Sequence, residues 1–257
     1  MGRIRFVSAV AGLVALVAVT GAAMCAKTDT ITTANGPIEI QAIHHASLML
    51  SWNGKHILID PAPLDPSGAP DTSFAGLPKP DVIVYTHDHY DHFNADILDA
   101  VIGAKSEIIA PQEVADKVPA PLKSRVHLMA NGDKKNMDGI GVEAVAMYNT
   151  TPDRMKFHPK GKGNGYILTF DGKRVYVAGD TEEAPELAHL SNIEAAFLPM
   201  NLPYTETVEV AAKWVRDFKP RVVYPYHFRN GDGSKSDLNT FKVDVGGASQ
   251  VRVLDWC

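Results

Sequence analysis

The stretch Thr86-His87-Asp88-His89-Tyr90-Asp91-His92-Phe93-Asn94 places three histidines and two aspartates within six residues, directly after the apolar run Val82-Ile83-Val84-Tyr85. Side chains on an extended segment repeat every second residue, so His87 and His89 share one side. Asp91 and His92 fall where the chain turns toward the next helix. Buried polar groups need partners, so this cluster has little reason to stand in an apolar core. Imidazole and carboxylate donors together suit zinc, manganese or iron. The stretch reads as half of a metal site, with the other half elsewhere in the chain.

Short β-like runs position it. Ile38 to Ala42 alternates, Ser47 to Trp52 is mixed apolar, and His56 to Ile59 follows Asn53-Gly54. Asn-Gly between two such runs predicts a hairpin, because both residues tolerate positive φ. Residues 61–80 are rich in Pro, Gly and Ser and read as a surface loop. Asp81 to Tyr85 is a strand, and Ala95 to Ile102 is a helix with Asn94 as N-cap. A second hairpin, Tyr166 to Phe170 and Arg174 to Ala178 across Asp171-Gly172, leads to Gly179-Asp180-Thr181. Ala211, Trp214, Val215 and Phe218 form one helical face behind the N-cap Thr207. The strand Arg221 to Tyr226 then delivers His227, and Val251 to Leu254 is a closing strand.

The halves echo each other. Lys79-Pro80-Asp81-Val82-Ile83-Val84-Tyr85-Thr86-His87 matches Lys219-Pro220-Arg221-Val222-Val223-Tyr224-Pro225-Tyr226-His227, and the hairpins Asn53 to Ile59 and Asp171 to Val177 match as well. Two related β-rich halves facing one another would bring histidine-bearing strand ends to one edge.

His-x-His-x-Asp-His after a strand, a later Gly-Asp-Thr and a final strand-end histidine resemble the metallo-β-lactamase superfamily over roughly residues 38–256. His44-His45-Ala46-Ser47 and Pro225-Tyr226-His227 look most like its ascorbate-6-phosphate-lactonase-like branch, and N-acyl-phosphatidylethanolamine phospholipase D has a similar core. The resemblance implies an α+β, four-layer αββα sandwich of two related halves with two divalent metal ions, zinc first, with manganese or iron as alternatives. Carried over, it implies His87 and His89 on the first metal, Asp91, His92 and His227 on the second, and Asp180 bridging both. The family usually places another first-site histidine after the strand before the long loop. Here that place reads Met147-Tyr148-Asn149-Thr150, so either His158 folds back as the third ligand or Asn149 and water substitute.

Asp91 and His45 are further implied as catalytic groups, Tyr204 as a hydrogen-bond donor to substrate, and Asp60 as an acid orienting a metal-binding histidine. His56, His127 and His189 are read as structural. Arg154, Lys156, Lys160 and Lys162 make the 149–164 loop basic and point to a small anionic substrate. The implied reaction is hydrolysis of an ester, lactone or phosphodiester by a metal-bound hydroxide. An iron-dependent redox or sulfur-oxidising relative and a non-catalytic periplasmic metal or ligand binder are the alternatives. The missing histidine and the lactonase-like wording speak against a β-lactam substrate.

A net charge of −5 over 257 residues gives no sign of nucleic-acid binding. Residues 1–26 have the basic start, apolar run and small-residue end of a secretory signal peptide, which predicts a periplasmic or secreted protein. Membrane attachment would come only through an uncleaved signal or a lipid on Cys25, for which Met24 is a poor neighbour. Residues 27–37 are polar and read as a flexible leader to one domain, 38–257. With Cys25 and Cys257 the only cysteines, no internal disulfide framework is expected.

Overall fold

The runs between turn residues become strands and gather into two sheets of seven. The computed structural model describes Met1 and residues 27–64 and 73–256; the signal-peptide reading falls outside these residues. The first sheet takes β1 (Thr28–Ile31), β2 (Ile38–His44), β3 (Ser47–Trp52), β4 (Lys55–Ile59) and β5 (Val82–Val84). The helix α1 (Ala95–Val101), β6 (Glu107–Ala110), α2 (Gln112–Lys117) and β7 (Val126–Leu128) complete it. The second sheet takes β8 (Lys134–Met137), β9 (Ile140–Met147), β10 (Gly163–Phe170), β11 (Lys173–Val177) and β12 (Ile193–Leu198). It ends with α3 (Val208–Phe218), β13 (Val222–Pro225), α4 (Leu238–Val245) and β14 (Gln250–Val251).

Both halves follow one plan: four strands pair in an antiparallel meander, then three pair parallel with helices crossing between them. Parallel neighbours need such crossovers, because a tight turn cannot return a chain to the same direction. Inward residues of both sheets, among them Ile40, Leu50, Val84, Leu168, Phe197 and Tyr224, interleave as the central core. Outward residues such as Ile83 and Leu58 pack with Leu98 of α1, and Tyr176 and Val223 pack with Trp214 of α3. The layers are therefore helix, sheet, sheet, helix, the αββα sandwich of two related halves.

The topology shifts the sequence repeat. The hairpins β3–β4 and β10–β11 occupy equivalent places, but β5 is fifth in its half and β13 sixth. The counterpart of β5 is β12, so the Lys-Pro…His match pairs strands that are not equivalent.

Residues 28–31 do not form a flexible leader: they are an edge strand paired with Ile38–Gln41. Ile31 is buried, and the Asp29 carboxylate accepts from Tyr224 Oη (2.8 Å) and Arg252 Nη1 (2.8 Å), tying this strand to the second half. The helix α4 carries no periodic signal strong enough to mark it in the sequence, although Asp237 caps it by accepting from Asn239 N and Thr240 N, and its own Phe241 and Val245 are buried. The closing strand is shorter than expected, Gln250–Val251. Among the described residues no helix is long and apolar enough to cross a membrane.

Burial opposes ionisation of Asp29, but the hydrogen bond from Arg252 and others outweigh it and hold its carboxyl below the usual range. A depressed folded-state pKa contributes stability that is present above the unfolded value near pH ~4 and is lost as pH falls through the folded one. Asp29→Asn should therefore destabilise the protein at pH 7 and cost less at pH 3, read by urea denaturation at both. An equal loss at both pH values would show that the charge is idle.

Candidate metal centre

The histidine stretch leaves β5 and closes into one helical turn, with His92 N–H and Phe93 N–H both donating to His89 O (3.0 and 2.8 Å). Alternation holds through it: His87 Nε2 lies 3.1 Å from His89 Nδ1, while Asp88 faces outward to Lys117 Nζ (2.7 Å). Phe93 packs edge-on against Tyr85 and anchors the turn.

Asp60, at the end of β4, orients the cluster. Its buried carboxylate accepts from Thr86 N (2.7 Å) and Thr86 Oγ1 (2.6 Å) and faces His92 Nδ1 at 2.8 Å. With Nδ1 engaged, His92 turns Nε2 inward, the arrangement in which a carboxylate fixes the tautomer of a metal-binding histidine. Thr86 Oγ1 also reaches His87 Nδ1 (3.0 Å). Sequence reading picked out Asp60 but not Thr86, which no motif marks.

Asp180 meets this cluster from the second half. Its Oδ1 lies 3.3 Å from His92 Nε2, and its Oδ2 lies 3.4 Å from both His158 Nε2 and His227 Nε2. Gly179 lets the chain pass, because at φ +67° a Cβ there would come within 2.6 Å of Met147 Sδ.

His158 does fold back. Asn149 N–H donates to His158 O (2.9 Å), and Asn149 Nδ2 donates to Arg154 O (3.0 Å) and Tyr204 O (2.6 Å). The buried Glu182, which carried no sequence signal, accepts from Thr150 N, Thr151 N and Arg154 Nη1 and braces the same turn. His158 Nδ1 faces the Tyr204 carbonyl at 3.2 Å. Asn149 Nδ2 lies at the same distance from Nδ1 (3.2 Å), and in the tautomer that donates from Nδ1 to the carbonyl, Nε2 is free to ligate. The rest of the basic loop is engaged: Arg154 pairs with Glu182, Lys160 with Glu186, Lys162 with Glu113, and Lys156 lies over the Phe157 ring. Its charges therefore do not form the free anion site expected of the loop.

Three donor groups result, each with its ligand atoms within 4.8 Å of one another: His87 with His89 and His158, His87 with His92 and Asp180, and His45 with Asp91 and His227. His45 Nε2 is 3.1 Å from Asp91 Oδ2, and His227 Nε2 is 3.5 Å from it. Tyr204 lies at the mouth, lining both cavities that open on the centre. His127 pairs with Glu107, His56 with Ser51, and both lie away from these groups.

The donors fit metal. His92 Nε2, His158 Nε2, His227 Nε2 and Asp180 Oδ1 are buried without a hydrogen bond of acceptable geometry. Their separations of 3.3–3.4 Å match the ~3.4 Å edge of a tetrahedron with bonds of about 2.0–2.1 Å. Burial and His227 push His45 down to about 4, burial pushes His158 to about 4 against the pull of Asp180, and burial with His92 holds His87 well below its usual value. These imidazoles are neutral near pH 7, the form that ligates. Burial opposes charge on Asp180 and Asp91, yet the neighbouring histidines hold both carboxyls well below the usual range, so both are ionised. Burial likewise disfavours the His92 cation, but Asp180 and Asp60 raise its pKa, and a bound metal would displace that proton. The set is consistent with a dinuclear centre.

Residues 39–227 match the model of the β-lactamase superfamily domain, and the chain belongs to the metallo-β-lactamase superfamily. Within it the chain is similar to a UPF0173 metal-dependent hydrolase of Pyrococcus abyssi, 30% identical over 228 residues that cover 84% of this chain and 96% of the relative. A crystal structure from Parabacteroides distasonis, named as a metal-dependent hydrolase, superposes with a TM-score of 0.79 at 39% identity, covering 90% of this chain and 99% of that one. The metallo hydrolase Igni18 of Ignicoccus hospitalis gives 0.69 at 25% identity, over 84% and 94% of the two chains. Family and donor set together make this a metal-dependent hydrolase.

If Asp60 sets the His92 tautomer, Asp60→Asn should weaken zinc binding about 10- to 100-fold with the circular dichroism spectrum retained. Competition with a chromogenic chelator measures it, and unchanged affinity would remove Asp60 from the centre.

Proposed function

We propose that the protein is an exported hydrolase holding two divalent ions, zinc first, and cleaving an ester, lactone or phosphodiester bond in a small anionic substrate. The observation that carries the reading is the approach of three histidine Nε2 atoms to one buried carboxylate, each within 3.4 Å and none hydrogen-bonded. In this reading His87, His89 and His158 hold the first ion, Asp91, His92 and His227 the second, and Asp180 lies between them. Ions bound there would supply Lewis acidity and lower the pKa of water they hold.

The chain's own residues do the rest. Strand ends and braced turns keep the donors rigid, so little reorganisation accompanies the reaction. Asp91 is ionised, and Oδ2 faces His45 Nε2 as well as His227. It is the group placed to accept a proton at the cleft, and His45 beside it can carry that proton onward. The Tyr204 hydroxyl can donate to substrate. The lactonase-like wording of His44-His45-Ala46-Ser47 and Pro225-Tyr226-His227 supports the choice of bond classes, and the N-terminal pattern of residues 1–26 supports export to the periplasm.

Asp91→Ala should lower turnover about 10²- to 10⁴-fold on a panel of aryl phosphodiesters, lactones and aryl esters, with the fold unchanged by near-UV circular dichroism. Chelation should abolish activity in the parent protein and zinc should restore it. Full activity in Asp91→Ala would sink the assignment of that residue, and activity that survives complete metal removal would sink the metal reading.

A further inference from the structure

The metal centre opens through two adjoining cavities that share Tyr90, Asp91, Asn201 and Tyr204. One, of about 280 Å³, runs past His89 and His158 to the ring of Phe157. The other, of about 430 Å³, runs past His45 and His227 to Arg229. The donor groups thus lie at the join of two arms.

The arms differ in chemistry. In the first, Phe157 and Tyr204 meet edge to face with centroids 5.1 Å apart, and the exposed ring of Tyr90 stands at the shared mouth. Two faces of that kind suit a flat apolar group. In the second, Arg229 is exposed, and among the described residues no acid lies within ion-pair distance of its guanidinium. That sets it apart from the cations of the 149–164 loop, three of which pair with acids. Tyr204 forms the wall between the arms. It packs so closely on Gly231 that a Cβ there would come within 2.9 Å of Tyr204 Oη, and Gly231 N–H donates to Leu202 O (2.8 Å). The loop bearing Arg229 is thereby fastened to the loop bearing Tyr204.

Arg229 is exposed on the wall of this arm, so its guanidinium is open to an anionic group that enters the cleft. A planar guanidinium binds carboxylate or phosphate through two parallel hydrogen bonds, and a positive rim also draws such anions toward the cleft.

We infer that the substrate is bipartite, with a flat apolar group against Phe157 and Tyr204, the scissile bond over the metal ligands, and an anionic oxyacid group on Arg229. This rests on the hydrolase reading and deepens it, moving the anion site from the 149–164 loop to the opposite arm. The cleaved bond belongs to an amphiphilic molecule whose charge lies several bonds from the reacting centre. Carboxylate and phosphate share the chemistry that Arg229 reads.

The test uses the zinc-loaded full chain and two chromogenic esters of equal length, mono-4-nitrophenyl glutarate and its neutral counterpart 4-nitrophenyl pentanoate. The parent protein should prefer the anionic ester in kcat/KM. Arg229→Met should reduce that preference about tenfold, chiefly through KM. Arg229→Lys should recover part of it, and Lys235→Met, which removes a neighbouring charge, should leave it in place. Equal preference in the parent and Arg229→Met overturns the inference. A second measurement is independent of turnover: calorimetric titration with 4-phenylbutyrate, whose affinity should fall about tenfold in Arg229→Met and also fall in Phe157→Ala. Binding that is lost on metal removal but unchanged in Arg229→Met would place the carboxylate on the metals alone and overturn the inference as well. If neither ester turns over, the hydrolase reading loses support while the titration still decides the Arg229 site. Mono-4-nitrophenyl phosphates bearing a second phosphate or carboxylate then show which oxyacid is preferred.

Discussion

Everything in this structure answers to the burial of the Asp180 carboxylate. Removing an ionised group from water costs several kcal/mol, and only close opposite charge or ligation offsets it. Here His92 faces it as a cation, and an ion held with His158 and His227 would complete the offset; the three histidines reach Asp180 from a turn, a loop and a strand end. Each must stop at the right depth. Backbone strain is accepted for that purpose: His45, Asp60 and His227 all take positive φ, between 44° and 49°. Such conformations cost a residue with a Cβ on the order of 1 kcal/mol or more. They persist because Asp60 N–H donates to Val84 O (2.9 Å) and His227 N–H to His45 O (3.1 Å), which pin the strand ends together.

The duplicated plan explains why the centre lies at one edge, while the centre itself is not duplicated. In each half an aspartate follows the fourth strand. In the first half it is Asp60, which faces His92 Nδ1 from behind; in the second it is Asp180, which faces the donors directly. The first half supplies His87, His89, Asp91 and His92 from one turn, and the second supplies His158, Asp180 and His227 from three places. Donors from both halves must converge, so the central core that fixes the distance between the sheets also fixes the geometry of the centre. The cleft adds a further asymmetry, apolar toward Phe157 and cationic toward Arg229.

Local spacing made much of this legible. The hairpins, the strand before His87 and the helix capped by Thr207 follow from turn residues and periodicity, which act over a few residues. The edge strand at 28–31 escaped because its polar face looks like a tail, and only Ile31 and the contacts of Asp29 with Tyr224 and Arg252 reveal its role. The repeat was visible but misaligned, since Lys-Pro precedes the apolar runs of β5 and β13, which take the fifth and sixth places of their sheets. The basic loop misled for a related reason: a lysine's partner, here Glu113 or Glu186, lies far away in sequence.

The sequence by itself determined the metal-binding chemistry of the His87–His92 turn, because that depends on residues close together along the chain, and its motifs carried the family resemblance that implied the two-halved αββα plan. It left open whether His158 or Asn149 stands where the family's usual histidine is missing. The tertiary structure decided that His158 approaches Asp180 while Asn149 and Glu182 brace its loop, and it placed Arg229 on the wall of the cleft with no acid at ion-pair distance among the described residues. Those outcomes depend on contacts between residues distant in sequence, and only the packing of the two sheets sets them.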